Sequence, residues 1–246
     1  MTRTRALLAP TIATVIALAI LISLGVWQLQ RLAWKEGLIA AVTERAAAPP
    51  APLPPPTVWP ALTAETVEYR RVVLRGTFRH DMEAPVFTTL EDGKGPLKGQ
   101  GWWIMTPLIL ADGSAVWINR GFVSNALKDP ATRPQGAITD DTEVIGLMRW
   151  SEARNAFTPA DTPQKNVWYT RDPLAMGAAR SLERVAPFFV DAQESPPGGV
   201  PQAGETRLAF PNRHLEYALT WFGLAASLLG VYSVFVYRRW RGASAG

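Results

Sequence analysis

Two long stretches without a charged residue, one near each end, constrain this chain more than any other feature. Residues 6–30 and 217–237 contain no Asp, Glu, Lys or Arg. A helix that crosses a bilayer needs about 20 consecutive, mainly apolar residues, and both stretches are long enough. All 25 basic and 21 acidic residues lie outside them, which gives the remainder the composition of an ordinary soluble domain. The sequence therefore predicts two membrane helices around a water-exposed domain, and excludes a disordered chain and a polytopic bundle.

A cleaved signal peptide is the alternative interpretation of the first stretch. Such a peptide has an apolar core of about 7–15 residues followed by a small-residue cleavage site. Here the apolar run continues through Trp27 and Gln28 to Arg31 without such a site. This favours an uncleaved anchor.

The distribution of charge predicts the membrane topology. All acidic residues lie between positions 31 and 216, whereas the two tails carry only the basic residues Arg3, Arg5, Arg238, Arg239 and Arg241. Positive residues beside membrane helices are retained in the cytoplasm. We therefore expect both termini in the cytoplasm and the central domain in the periplasm of a bacterial inner membrane, or in the equivalent intermembrane space. The high isoelectric point, about 9.6, then reports topology rather than nucleic-acid binding.

These observations divide the chain into six predicted segments. They are a cytoplasmic tail (1–5), membrane helix 1 (6–30), a helical extension with a proline-rich linker (31–60), an extracytoplasmic β-rich domain (61–211), membrane helix 2 (212–237) and a second cytoplasmic tail (238–246).

Alternating apolar and polar residues predict several short strands in the central domain. We expect them at 69–79, 85–90, 102–110, 114–123, 142–150, 166–170 and 188–190, with a short helix at 173–181. Asp112-Gly113 is a strong hairpin signal. The predicted fold class is membrane-anchored α+β, in which a mainly antiparallel sheet closes into a barrel or sandwich.

Catalytic signatures are missing from the sequence. It has no G-x-S-x-G, no H-E-x-x-H, no Walker loop and no cysteine, so we expect a protein that is not an enzyme. His80, Asp81 and Glu83 are close enough in sequence for weak metal binding, but a solvated turn is the favoured interpretation.

The residues of most interest lie where the domain meets the membrane. Trp27, Arg31 and Lys35 share one face of the first helix, and His214, Tyr217 and Trp221 share one face of the second. A histidine at the mouth of a membrane helix is a functional-site candidate. Its imidazole can ligate haem iron, aromatic neighbours can hold the flat macrocycle, and arginines such as Arg31 or Arg213 can pair with its propionates. Spacing alone favours the simpler alternative, which is interfacial anchoring by aromatic and basic residues with a hydrogen-bonded histidine.

Small residues four positions apart suggest close packing between the two helices. The pairs are Ala13/Ala17, Gly223/Ser227 and Ala226/Gly230. Such spacing allows backbones to approach closely, but alanine and glycine are also simply common in membrane helices, and the pattern leaves both interpretations open.

Four sequence blocks resemble the surfeit locus protein one family. They are L-G-V-W-Q-L-Q-R-L-A-W-K (24–35), Y-R-R-V-V-L-R-G-T-F (69–78), G-S-A-V-W-I-N-R-G-F-V (113–123) and N-R-H-L-E-Y-A-L-T-W-F-G-L-A (212–225). The blocks follow the family's order over nearly the whole chain, although residues 125–205 match weakly.

The resemblance implies an assembly factor for haem–copper cytochrome c oxidase that binds haem a as transient cargo and aids its insertion into subunit one. It implies that His214 is the haem-iron ligand. Trp27, Arg31, Arg120, Tyr217 and Trp221 also match family motifs, with Arg120 expected at a strand end where it shapes a turn. The implied partners are oxidase subunit one, haem a synthase and membrane lipid, with no nucleic acid. The alternative is a haem-independent membrane scaffold for oxidase assembly intermediates.

Overall fold

The computed structural model describes residues 3–208 and 210–241. Its α-helices are α1 (Arg3–Ala47), α2 (Ala64–Val67), α3 (Pro173–Ala179) and α4 (His214–Arg241). The chain forms two compact units, one of residues 1–41 with 209–246 and one of residues 42–208. The predicted tails, 1–5 and 238–246, fall partly outside the described residues.

Seven strands form a single sheet in the second unit. Their bounds are β1 (Ala51–Pro52), β2 (Arg71–Phe78), β3 (Ala84–Leu90), β4 (Gly99–Leu110), β5 (Ala115–Ser124), β6 (Thr142–Trp150) and β7 (Val185–Ala192). Short 3-10 helices occur at Pro56–Ala61, His80–Met82, Asn125–Leu127, Pro130–Thr132, Pro134–Gly136 and Pro163–Lys165.

Five of the strands close into a barrel. The sheet order is β1-β2-β6-β7-β5-β4-β3, and β2 also pairs with β4, which closes the ring. Two strands pair with the same edge of β4: residues 99–105 pair with β3, and residues 108–110 pair with β2. All pairs are antiparallel except β1 with β2 and β5 with β7. The predicted fold class, a mainly antiparallel barrel-like domain between two long helices, is confirmed.

Side chains alternate between the barrel interior and a second apolar layer outside it, as the twofold period of a strand requires. On β5, Val116 and Ile118 belong to the interior cluster, while Trp117 belongs to the outer one. On β7, Phe188 belongs to the interior cluster and Phe189 to the outer one. Strands β5 and β7 are therefore buried on both faces.

Two parts of the central domain differ from expectation. The predicted strand at 166–170 is wrong, since Val167 and Trp168 form only isolated bridges. Asn166, which follows a 3-10 helix with a φ of 52°, interrupts the extended backbone before them. The proline-rich stretch predicted as a linker packs onto the barrel, because β1 pairs with β2 and Trp59 lies in the interior cluster.

In the first unit, α1 and α4 are both long and apolar enough to cross a membrane. They contact each other where Gly25 faces Phe222, and a Cβ at position 25 would lie 2.5 Å from that ring. Ala218 and Ala225 are buried on α4. The suggestion that Gly223 and Gly230 mediate close packing is wrong: both are exposed, and a Cβ on either would meet nothing within 4 Å.

Candidate functional site

The first candidate site is a polar contact between the two long helices. His214 is the first residue of α4, and its Nδ1 lies 2.7 Å from Oε1 of Gln28 on α1. Gln28 is buried, with 8% of its surface exposed, and His214 is half-buried. A buried amide needs a hydrogen-bond partner, and the histidine supplies it.

This contact indicates which ring nitrogen of His214 donates a hydrogen bond. An amide oxygen only accepts hydrogen bonds, so with Oε1 facing the ring, Nδ1 of His214 carries the proton. The lone pair of a neutral ring then lies on Nε2. Among the described residues no hydrogen bond engages Nε2. Metal-ligating histidines characteristically donate their other ring N–H to an acceptor in this way.

The cationic residues on α1 have other partners. Lys35 donates to the carbonyl of Pro211, in the segment that leads into α4. The Arg31 guanidinium lies 4.4 Å from the ring centroid of Trp34. Within the described part of the chain, no hydrogen bond or ion pair joins Arg31 or Arg213 to His214. The structure thus brings His214 to Gln28 but does not bring these two arginines to the histidine.

The aromatic residues of the predicted site remain accessible. Tyr217 is 54% and Trp27 is 50% exposed, and Trp221 is half-buried. Large exposed aromatic surfaces on membrane helices are available to lipid, to a partner or to a flat hydrophobic ligand.

Arg120 lies in a second polar cluster, at one end of the barrel. It alternates with Val116 and Ile118 on β5 and is only 3% exposed. Its NH1 lies 3.3 Å from Nδ1 of His80, and its NH2 donates to the carbonyl of Gly136. The expectation that Arg120 simply shapes a turn is therefore too narrow, because its guanidinium joins segments far apart in sequence.

The neighbouring Gly121 also lies within β5, so Arg120 is at neither a strand end nor a turn. Gly121 has a φ of +127°, and a side chain there would collide with the carbonyl of Gln202. Phe122 exchanges two backbone hydrogen bonds with Gln202, so only glycine allows this close approach.

A buried ion pair completes the barrel-end cluster. The NH1 and NH2 groups of Arg133 both donate to the Glu83 carboxylate, and Arg120 NH1 lies 3.9 Å from the same carboxylate. Burial lowers the pKa of Arg120 to about 10, although Glu83 acts in the opposite direction. Burial also lowers the pKa of His80. Its Nε2 bonds the Ile138 carbonyl at 2.8 Å and must donate, so its Nδ1 accepts from Arg120.

The suggested metal-binding group His80, Asp81 and Glu83 is not assembled as such. Asp81 pairs with Arg79, and Glu83 is buried against Arg133. Glu83 therefore does not lie in a solvated turn either. Among the described residues, no group of three or more His, Cys, Asp or Glu side chains is arranged to hold a metal ion.

Sequence reasoning assigned no role to two residues that the structure makes prominent. Gln28 was recognisable as one of two glutamines in the first uncharged run, near the end that precedes Arg31. No sequence pattern pointed to Arg133, because its ion pair with Glu83 depends on the irregular segment between β5 and β6.

Two long helices that are apolar enough to cross a membrane precede and follow a closed β-barrel in the sequence, and the second begins with a histidine. This arrangement fits a two-pass, membrane-anchored barrel protein. The sequence model of the SURF1 family matches residues 15–226. The chain is 38% identical over 217 residues to surfeit locus protein 1 of Homo sapiens, covering 83% of this chain and 70% of that protein. It is 37% identical over 224 residues to a SURF1-like protein of Monosiga brevicollis, covering 88% and 83% respectively. A SURF1-like protein of Drosophila melanogaster is 37% identical over 218 residues, covering 83% and 70%. The chain belongs to the SURF1 family.

Proposed function

We propose that this protein is an assembly factor for haem–copper cytochrome c oxidase that binds haem a as cargo and aids its insertion into subunit one. Membership of the SURF1 family supports the assembly role. The observation that carries the haem-binding part is the hydrogen bond between His214 and Gln28.

The geometry suits a ligand that is bound and later released. With its proton held on Nδ1 by Gln28, His214 offers the Nε2 lone pair, which is the atom that ligates haem iron in many proteins. A single histidine ligand gives an exchangeable site, as delivery requires.

The surroundings supply the remaining contacts for a macrocycle. The accessible rings of Trp27, Tyr217 and Trp221 provide apolar surface on which a porphyrin can lie. Arg31 and Arg213 are exposed and unpaired with carboxylates among the described residues. We assign them to the two haem propionates, which requires Arg31 to leave its stacking position on Trp34.

The proposed location is the cell inner membrane, crossed twice, with both termini cytoplasmic and the barrel in the periplasm. The basic residues Arg238, Arg239 and Arg241 after the second apolar run support this orientation. Haem a synthase is the proposed donor of the cargo, oxidase subunit one is its acceptor, and membrane lipid surrounds the helices. We propose a role as a chaperone rather than as an enzyme, and no interaction with nucleic acid.

The test uses the two histidines as a matched pair. The full-length chain is purified from cells that make haem a, and the haem a absorbance per mole of protein is measured for wild type, His214→Ala and His80→Ala. We expect pigment in wild type and His80→Ala and its loss in His214→Ala. Full haem occupancy in a folded His214→Ala protein would show that His214 is not the ligand.

The same hydrogen bond also supports a second candidate function, a haem-independent scaffold for oxidase assembly intermediates. An interhelical bond between polar side chains holds membrane helices together without any ligand, so His214 and Gln28 would then serve only as a clamp. This candidate predicts that assembled oxidase, counted as subunit one recovered in the complex, persists in cells that carry His214→Gln, whose amide can still donate to Gln28. The haem-binding function predicts that it falls.

A further inference from the structure

The end of the barrel holds a cavity of about 240 Å³ that the proposed haem role leaves unused. Its apolar walls include Phe78, Ile138 and Val144, and Ser195 and Glu194 lie at its exposed rim. Arg120 is the one cation among its lining residues. The guanidinium lies 5.1 Å from the Phe78 ring centroid, so it belongs to the same wall.

The buried charges around this cavity do not balance. Arg120 and Arg133 are both cationic, whereas Glu83 is the carboxylate that faces them. His80 is held neutral between the Ile138 carbonyl and Arg120. Arg133 makes the close, two-bonded contact with Glu83, while Arg120 stands 3.9 Å away. Burying a charge without full compensation is costly, so Arg120 is left with an excess positive charge.

Arg120 also retains hydrogen-bonding capacity. A guanidinium has five N–H donors in a planar fork. Among the described residues, Arg120 donates to His80 and to Gly136, which uses two of them. Three donors remain for a ligand, and a fork of this kind matches a carboxylate particularly well.

We propose that the cavity is a binding site for the anion of a small carboxylic acid, with Arg120 as its charged anchor. The carboxylate end faces the guanidinium, and a short apolar tail contacts the walls formed by Phe78, Ile138 and Val144. Such an anion completes the charge balance that Glu83 leaves unfinished. The site lies in the second unit and uses none of the residues assigned to haem.

The rim gives the site a testable electrostatic signature. Glu143 and Glu194 line the opening and are exposed. Their negative charges oppose the entry of an anion, so neutralising one of them strengthens binding. An exposed charge interaction of this kind changes affinity about two- to fivefold.

The experiment titrates ¹³C-acetate into the purified full-length chain in detergent and follows the transverse relaxation of the acetate methyl signal, with sodium chloride maintaining a constant ionic strength. Protein-free micelles give the blank. The variants are Arg120→Gln, Glu194→Gln and Glu91→Gln, the last a matched loss of one exposed carboxylate that does not line the cavity. Butyrate competition tests the apolar walls.

We expect wild type to bind acetate, Arg120→Gln to lose binding, and Glu194→Gln to bind about two- to fivefold more tightly while Glu91→Gln matches wild type. Butyrate should displace acetate at lower concentration than unlabelled acetate does. If Arg120→Gln does not fold, the acetate affinities of Glu194→Gln and Glu91→Gln test the proposal. Absence of binding to wild type, or equal affinities for these two variants, would overturn the proposal.

Discussion

At the scale of single residues, Gln28 is the side chain on which the behaviour of His214 depends. It is buried in an apolar helix, and its Oε1 accepts a hydrogen bond from Nδ1 of the histidine. Acceptors of this type orient metal-binding imidazoles and raise their basicity. In the proposed function, Gln28 would therefore control His214 without touching the haem itself.

Replacing Gln28 tests this dependence. We expect Gln28→Ala to weaken haem a binding about 10- to 100-fold, because the ring loses the partner that holds its tautomer and orientation. Gln30→Ala, an exposed glutamine on the same helix, is the control and should bind as wild type does. The measurement is haem a occupancy during titration of the purified proteins. If Gln28→Ala and Gln30→Ala bind haem a with equal affinity, Gln28 does not contribute to the site.

A second prediction concerns His80 and the pH dependence of the stability of the folded chain. Its folded-state pKa is lowered, chiefly by burial, from the ordinary value of 6.5, and its facing groups are Arg120, Arg133, Glu83 and the Ile138 carbonyl. The unfolded chain therefore binds a proton more readily than the folded chain. Stability is fully present above pH 6.5 and is lost as the pH falls below that value towards the lowered folded-state pKa.

The check is the thermal midpoint of the full chain between about pH 5 and 8, the range over which histidine titrates. Wild type should lose stability on the acidic side, and His80→Gln should show a shallower dependence. Identical pH profiles would show that another group controls acid stability.

At the scale of elements, local sequence patterns predicted most strands well, because short apolar stretches bounded by turn residues are typical of strands whether one face is buried or both. The prediction for 142–150 coincides with β6, and the other confirmed strands differ by a few residues at their ends. Closure of the barrel could not be predicted, since it depends on β4 serving both β3 and β2 along one edge. No local pattern encodes that division.

The candidate site was likewise only partly predictable from the sequence. The placement of His214, Tyr217 and Trp221 along one helix was predictable from their spacing. The contact with Gln28 was not, because it requires the register between two helices that are 186 residues apart in sequence. The barrel-end cluster was hidden for the same reason: His80, Arg120 and Arg133 come from separate segments.

The packing of α1 against α4 is tested by a substitution at Gly25. A side chain there would overlap the Phe222 ring, so Gly25→Val should force the helices apart and cost about 1–3 kcal/mol, as overpacking typically does. Gly230→Val is the matched control, because its Cβ meets nothing within 4 Å. The measurements are the thermal midpoint and the haem a occupancy, both of which should fall only for Gly25→Val. Equal effects of the two substitutions would contradict this packing.

At the scale of the whole molecule, the charge distribution predicts which side of the membrane each part occupies. The chain has no cysteine, so single cysteines can be introduced freely. We choose Phe157→Cys in the barrel unit and Trp240→Cys near the end of α4, both highly exposed positions. In intact spheroplasts, a membrane-impermeant maleimide should label the first, and should label the second only after permeabilisation. The reverse pattern would invert the proposed topology.

The central claim is that His214 binds haem iron, in addition to any role in holding the helices together. His214→Gln separates the two roles, since an amide can still donate to Gln28 but offers no imidazole nitrogen. The decisive measurement is the haem a absorbance per mole of folded, purified His214→Gln protein, beside His80→Gln, from cells that make haem a. Our account predicts that His214→Gln is folded and free of pigment while His80→Gln retains it. Pigment retained at the wild-type level in His214→Gln would contradict the account.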